Sequence, residues 1–407
     1  MKKQIAAAAA ALLMLPVSVR AEQLPQFAPL FEASFLQGWY CRDWSQEQWQ
    51  LELQEMKAAG FRAVILQSSV DFSYEQTDSA RPKTDAASYA VTSAAALYPT
   101  ALLPDSSGAH ALEYALLAAK QTGMQVYIGT VSDSRWWNYG WGVPDEYFAE
   151  WSAENAAQCS TVIQEIWTAY GENYANQIAG FYYNNEIWNM DAACDGSDGG
   201  RYAEIIGSNI RASLDTVSAL CPEKPLLISP FYNRDLSSAK AYAAFWRALA
   251  DSAGFRTNDI FACQDGGGRG YDTDTLSEWT DALHAALCGK MRFWVNNESF
   301  DADSSAKLPE LLRQNFLATA QAERHILFSW NHYYHGKQDA AFAGLMQSMT
   351  GDFNADGACT EADAAALRSW LMQDSITPAN WLACDLDANC VLNAADLTLL
   401  KRRLLRG

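Results

Sequence analysis

The chain has 407 residues, 49% of them hydrophobic, with 15 Trp, 18 Tyr and 17 Phe. That composition can bury one large core and a small one, and it excludes a disordered chain. The formal net charge of −19 repels nucleic acid and anionic membranes, so neither is an expected partner, and it suits a neutral substrate.

The first residues read as a secretory signal. Lys2 and Lys3 make a basic start, residues 5–15 are an apolar run, Pro16 breaks it, and Val19-Arg20-Ala21 puts small residues at the cleavage positions. A membrane anchor is the alternative, but the run is too short to span a bilayer as a helix. Cleavage after Ala21 makes residues 1–21 a signal peptide and the protein secreted. Loss of three cations and no acid takes the formal charge from −19 to −22. All nine cysteines lie beyond that point, with no CxxC pair and no zinc-type spacing to the five histidines.

From 22 to 349, apolar runs of strand length alternate with amphipathic stretches. The predicted strands are 38–41, 63–67, 125–130, 180–183, 226–229, 260–263, 292–295 and 326–329. The predicted helices are 46–59, 109–122, 153–170, 202–220, 239–253, 275–288, 308–323 and 339–349. Eight of each predict an α/β fold, a (β/α)8 TIM barrel. An open doubly wound sheet is the alternative, but no glycine-rich phosphate loop follows the first strand.

A barrel of this kind builds its site at the C-terminal ends of the strands. The first strand leads to Trp39, Arg42 and Asp43, the third to Asp133, Trp136 and Trp137, and the fourth to Tyr183, Asn185 and Glu186. The fifth leads to Tyr232, the sixth to Asp265 and the glycines 266–268, the seventh to Asn297 and Glu298, and the eighth to Trp330 and His332. Sugars present apolar faces that stack on Trp and Tyr, and hydroxyls that need Asn, Asp and Arg. Each aromatic alone is more readily core than platform; their concentration after strands, beside polar residues, is what points to a carbohydrate platform.

Glycoside cleavage needs a proton donor to the leaving oxygen and a second carboxylate that attacks or activates water. Glu186 and Glu298 are the candidates, with Asp133 and Asp265 next. The alternative is that both glutamates merely pair with arginines in the barrel mouth. The arrangement resembles the large barrel clan of retaining glycoside hydrolases. That resemblance implies Glu186, after Asn185, as acid/base, Glu298 as nucleophile and Trp330 as the aromatic floor of a sugar subsite. The stretch 35–44 with 65–69 resembles more closely a bacterial barrel family catalogued only as a domain of unknown function, which implies no activity. No GxSxG, HExxH or GxxxxGK[ST] is present, and no cofactor is expected for catalysis. The glycines 266–270 read as a flexible loop.

Asp352, Asn354, Asp356 and Asp363 occupy positions 1, 3, 5 and 12 of a calcium loop with Gly357 at position 6. Oxygen side chains at alternate positions suit a hard cation, and the glycine permits the bend. A second copy carries Asp385, Asp387, Asn389, Asn393 and Asp396 at positions 1, 3, 5, 9 and 12. Helices are predicted over 364–372 and 397–405. The segment from 351 to 405, including Asp396-Leu397-Thr398-Leu399-Leu400-Lys401-Arg402, resembles a type I dockerin, so 350–407 is read as a dockerin-like domain. The resemblance implies two bound calcium ions and a cohesin module of a scaffoldin as partner. It also implies a contact surface near Glu361, Ala362, Ala394, Ala395, Lys401 and Arg402. Cys390 stands where the second loop should have glycine; a Cys359–Cys390 pair is an alternative use of that thiol. Together these features predict a secreted, cellulosome-attached retaining glycoside hydrolase acting on plant cell-wall polysaccharide or oligosaccharide. The alternative is a non-catalytic carbohydrate-binding or structural subunit.

Overall fold

The computed structural model describes residues 30–83, 85–139, 145–189, 199–372, 380–387, 389 and 391–406. The expected signal segment and Cys390 lie outside them. Eleven strands are present among these residues: β1 (Phe31–Leu36), β2 (Ala63–Leu66), β3 (Val70–Gln76), β4 (Tyr89–Ala96), β5 (Gln125–Gly129), β6 (Val131–Asp133), β7 (Ile178–Tyr183), β8 (Leu226–Ile228), β9 (Ile260–Gln264), β10 (Arg292–Glu298) and β11 (Arg324–Phe328). Eight close into a barrel in the order β1-β2-β5-β7-β8-β9-β10-β11 and back to β1. Every pair around it is parallel. The predicted TIM barrel is therefore observed.

Two features differ from the expectation. The first strand is Phe31–Leu36, not 38–41, which forms a helical turn, α1 (Gly38–Cys41). Its polar residues disguise it: Ser34 is fully buried and its hydroxyl donates to the Leu327 carbonyl at 3.1 Å, so the strand closes the barrel despite reading as mixed. The second difference is a side sheet in the order β4-β3-β6. β3 and β6 follow β2 and β5 within a few residues, so two barrel strands continue past the mouth and pair again.

The helices follow the predicted order: α2 (Gln46–Ala58), α3 (Ala111–Thr122), α4 (Trp136–Tyr139), α5 (Glu146–Tyr174), α6 (Gly199–Leu220), α7 (Ala239–Ala253), α8 (Thr273–Leu287), α9 (Pro309–Ala318), α10 (Trp330–Tyr333) and α11 (Asp339–Met349). Local chemistry sets their ends. Ser45 and Gln48 form a capping box on α2; Ser238 caps α7, and Gly254, at φ 78°, ends it.

Inward side chains fill the barrel as one cluster that includes Phe35, Ile65, Tyr127, Tyr182 and Trp294. Outward ones pack under the helices in a second, larger cluster. The strand period of two therefore decides which residues can reach the mouth. After α11 the chain enters a small unit with its own core of Phe353, Leu367, Leu386 and Leu400, framed by α12 (Glu361–Leu371) and α13 (Ala394–Arg406). Leu382 and Ala383 of this unit also join the barrel's outer cluster. Among the described residues no helix is long and apolar enough to cross a membrane.

Candidate active site

The barrel mouth holds a cavity of about 190 Å³ lined by Phe35, Gln67, Tyr182, Glu186, Ser229, Gln264, Asn296, Glu298, Phe300 and Phe328. Parity explains the set. Trp294 of β10 lies in the inner cluster, so Asn296 and Glu298 face inward on the same strand. Tyr182 faces in on β7, and the chain delivers Glu186 just beyond it.

Glu298 is 7% exposed, and its Oε2 accepts the Gly268 N–H at 2.6 Å. Burial, with the charge of Asp265 adding to it, pushes the Glu298 carboxyl up to about 8. Burial likewise pushes Glu186 up to about 7, against a hydrogen bond from Gln264 that favours the charged form. Ser229 Oγ accepts from Asn296 Nδ2 at 3.1 Å, while Asn296 Oδ1 is buried with no partner among the described residues. A ligand hydroxyl entering the cavity would satisfy it.

Asp265 braces the site from behind. It accepts the Gly267 N–H at 2.8 Å, Asn297 Nδ2 at 2.9 Å and the Glu298 N–H at 3.2 Å. Because Asn297 uses Nδ2 there, its Oδ1 must accept from His325 Nδ1, 2.6 Å away. Burial lowers His325 to about 3, so the ring is neutral. The glycines 266–268, expected as part of a flexible loop, are buried and shape a platform beside Glu298. A Cβ on Gly268 would lie 2.4 Å from the Phe300 ring and 2.8 Å from Glu298 Oε2. Only glycine lets this backbone approach the carboxylate.

The other sequence-predicted residues divide. Trp39, Arg42 and Asp43 line a second, open groove of about 1090 Å³ beside β3 and β4, and Trp39 is 62% exposed. The half-buried His332 lies outside both linings, its ring 5.8 Å from Trp39 and 6.4 Å from Phe328. Trp137 is exposed. The remaining candidates are structural. Tyr183 and Asn297 take the outward parity: Tyr183 donates to Asn209 Oδ1 at 2.9 Å, and Asn185 donates to Asn155 Oδ1 at 2.8 Å. Asp133 pairs with Arg135 at 2.7 Å and accepts from Trp151 Nε1 at 3.0 Å. Trp136 is buried. Tyr232 stacks on Trp279 at 4.2 Å and donates to the Asp265 carbonyl.

Trp330 is not a subsite floor. The chain turns into α10 at this residue, and its ring is 3% exposed, stacked on His335 at 4.3 Å. Phe300 and Phe328 supply the aromatic wall instead. Phe328 has the inward parity of β11, a signal the sequence carries. Phe300 lies past the end of β10 and has none.

In the C-terminal unit, Asp352, Asp363, Asp385 and Asp396 are almost wholly buried. Asp352 accepts the Asp356 and Gly357 N–H groups, each at 3.0 Å, and Asp363 accepts that of Asn354 at 3.1 Å. Asp385 accepts the Asn389 N–H at 2.9 Å, and Asp396 accepts those of Leu386 and Asn393, each at 2.9 Å. Asp385, Asp387 and Asp396 offer oxygens within 4.8 Å of one another. Asn354, Asp356, Asp387 and Asn389 sit at the loop surface. The converging hard oxygen donors of this second loop fit a calcium ion.

Residues 32–341 match the family described as Domain of unknown function (DUF4434). The chain belongs to that family. Residues 350–405 match the Dockerin type I domain, as the loop spacing implied. The DUF4434 barrel is similar in fold to a "putative alpha-L-fucosidase" from Bacteroides thetaiotaomicron, at 21% identity over 82% of this chain and 95% of that one, TM-score 0.56. It is similar also to a beta-galactosidase from Marinomonas ef1, at 10% identity over 86% of this chain and 61% of that one, TM-score 0.50. No curated protein matches. In the dockerin domain, Glu361, Ala362, Ala394, Ala395, Lys401 and Arg402 are all exposed, so the surface implied for docking faces solvent.

Proposed function

We propose that this DUF4434 protein is a secreted, cellulosome-attached glycoside hydrolase that works by retaining double displacement. One observation carries the reading: Glu186 and Glu298 line the same small cavity, each with its carboxyl raised by burial. Glu298 attacks the anomeric carbon as Glu186 gives its proton to the departing oxygen. Glu186 then takes a proton from water, which attacks the same carbon and releases Glu298. The Gly268 N–H fixes the nucleophile's Oε2, leaving its other oxygen for attack. Asn296 Oδ1 takes a sugar hydroxyl, and Phe300 and Phe328 wall the ring. The cavity has room for one sugar unit, and the groove at Trp39 takes the rest of a plant cell-wall chain.

The dockerin domain attaches the enzyme to a cohesin. Asp352, Asn354, Asp356 and Asp363 hold one calcium ion; Asp385, Asp387, Asn389 and Asp396 hold a second. The deciding experiment incubates the full chain with a plant-wall polysaccharide panel and follows new reducing ends and their anomeric configuration by NMR. Retained configuration, lost in Glu298→Gln, supports the reading. Inversion refutes the double displacement, and binding without new reducing ends turns the protein into a carbohydrate-binding subunit.

A further inference from the structure

The first ligand of each calcium loop is held by an arginine of the barrel. Arg313 of α9 donates to Asp352 Oδ2 at 2.9 Å and to the Ala355 carbonyl, inside the loop, at 3.2 Å. Arg324, the first residue of β11, donates through both terminal nitrogens to Asp385 Oδ2 at 3.2 Å. These are not surface pairs. The side chains of Asp352 and Asp385 are 0% and 1% exposed, and those of Arg313 and Arg324 are 14% and 3%. Apolar contact from the same unit adds to the pairs: Leu382 and Ala383 pack into the barrel's outer cluster, with Trp381 against it. Trp381 also lines a hollow with Met291, Arg292 and Ala322, at the end of the barrel away from the mouth. The two loops, at equivalent positions of the repeat, are thus met by two cations from one face of the barrel.

We propose that Arg313 and Arg324 are built-in counter-cations that clasp the dockerin domain to the base of the barrel and compete with calcium for the first aspartate of each loop. The proposal rests on the reading of two calcium sites. Its physics is direct. A buried carboxylate left without a cation is strongly destabilised, and the guanidinium supplies that cation when calcium is absent. When calcium arrives, a divalent charge comes to a carboxylate already shared with a fixed positive charge. The ion is repelled by the arginine and finds a ligand whose electron density is partly committed. Linkage makes this reciprocal: whatever the clasp takes from calcium affinity, calcium takes from the clasp. The exposed docking surface on α12 and α13 stays free in the clasped form, so the clasp sets how firmly the enzyme is oriented on its docking domain without covering it.

The test uses the full chain. Calcium is titrated against a chromophoric chelator for the wild type, Arg313→Gln, Arg324→Gln and the double variant, and each calcium-free form is melted. The expected result is about tenfold tighter calcium binding at the site whose arginine is removed, both sites tightening in the double variant. The calcium-free variants should melt earlier than the wild type, with calcium closing the gap. Unchanged or weaker calcium binding in the glutamine variants overturns the proposal, because the arginines would then only orient the ligands. Should the glutamine variants not fold without calcium, Arg313→Lys and Arg324→Lys decide: the shorter ammonium should clasp more weakly and let calcium bind tighter than in the wild type, and weaker calcium binding refutes the competition. A wild type that binds no calcium refutes the underlying two-site reading instead.

Discussion

The two ends of the barrel treat buried carboxylates in opposite ways. At the mouth, Glu298 is held by the neutral Gly268 N–H, and both it and Glu186 have carboxyls raised toward or past neutrality by burial. At the base, Asp352 and Asp385 are as deeply buried, yet each meets a guanidinium as well as backbone N–H groups. The first environment raises its carboxyls toward the range in which a proton is exchanged near neutral pH; the second gives each carboxylate a cationic partner. Burial alone therefore does not distinguish the carboxylates of the mouth from those of the base; the charge of the nearest donor does.

Removing the carboxylates at the mouth should have the largest effect. Glu298→Gln should nearly eliminate turnover on every substrate. Glu186→Gln should cost about 10²–10⁴-fold on natural glycosides and far less in the glycosylation step of activated aryl glycosides, which need little protonation. Azide should restore part of the Glu186→Ala rate. Initial rates on the two substrate classes check this; wild-type rates in both Gln variants would remove the pair from the chemistry. At the base, Asp352→Ala with Asp385→Ala should abolish cohesin capture in calcium while leaving barrel turnover in place, read by pull-down and by rate.

The two tryptophans sharpen the contrast between mouth and core. Trp330→Ala removes a ring that is 3% exposed and stacked on His335, and should cost ~3–5 kcal/mol in a denaturant melt. Trp39→Ala removes a ring that is 62% exposed at the groove. It should leave the melt nearly unchanged and weaken polysaccharide binding. A stable Trp330→Ala variant with lost binding would return that ring to the subsite.

These residues show where the sequence was informative. Local signals were legible: the spacing of oxygen-bearing side chains marked the dockerin domain, and α7 and α11 fell at their predicted bounds because Ser238 and Gly254 punctuate the first and the apolar period runs through both. Eight strand–helix units were countable, so the barrel was legible too. Facing was only partly so. The same alternation that turns Asn296 and Glu298 inward turns Asn297 outward, and Tyr183 likewise points away from Tyr182's side. Strand-end position alone swept both into the candidate set. β1 hid behind Glu32 and Ser34, whose partners are far away in sequence, Ser34 bonding to Leu327. The side sheet, the glycine platform and Phe300 depend on tertiary contacts that no local pattern encodes.

The smallest predicted effect tests the mouth without any substrate. A carboxyl near 4.3 in the unfolded chain but raised to about 8 in the folded one, as for Glu298, keeps its proton on folding across the interval between. The folded state then binds more protons than the unfolded state, so stability falls as pH rises. The contribution is fully present below about pH 4.3 and is lost as pH climbs through about 8. Glu298→Gln is neutral at every pH and should escape that loss. Its melting temperature should match the wild type at the acid end and exceed it above the upper limit. The same raised values bear on catalysis. The proposed double displacement needs Glu298 ionised while Glu186 is protonated, the reverse of the order of the two raised values, so kcat/KM should be bell-shaped, carried by a minor protonation form, with its maximum between about 7 and about 8. An optimum in the ordinary carboxylate range, together with a Glu298→Gln melt that tracks the wild type at all pH values, would mean that water reaches both carboxylates freely. The mouth would then lose the property that separates it from the base.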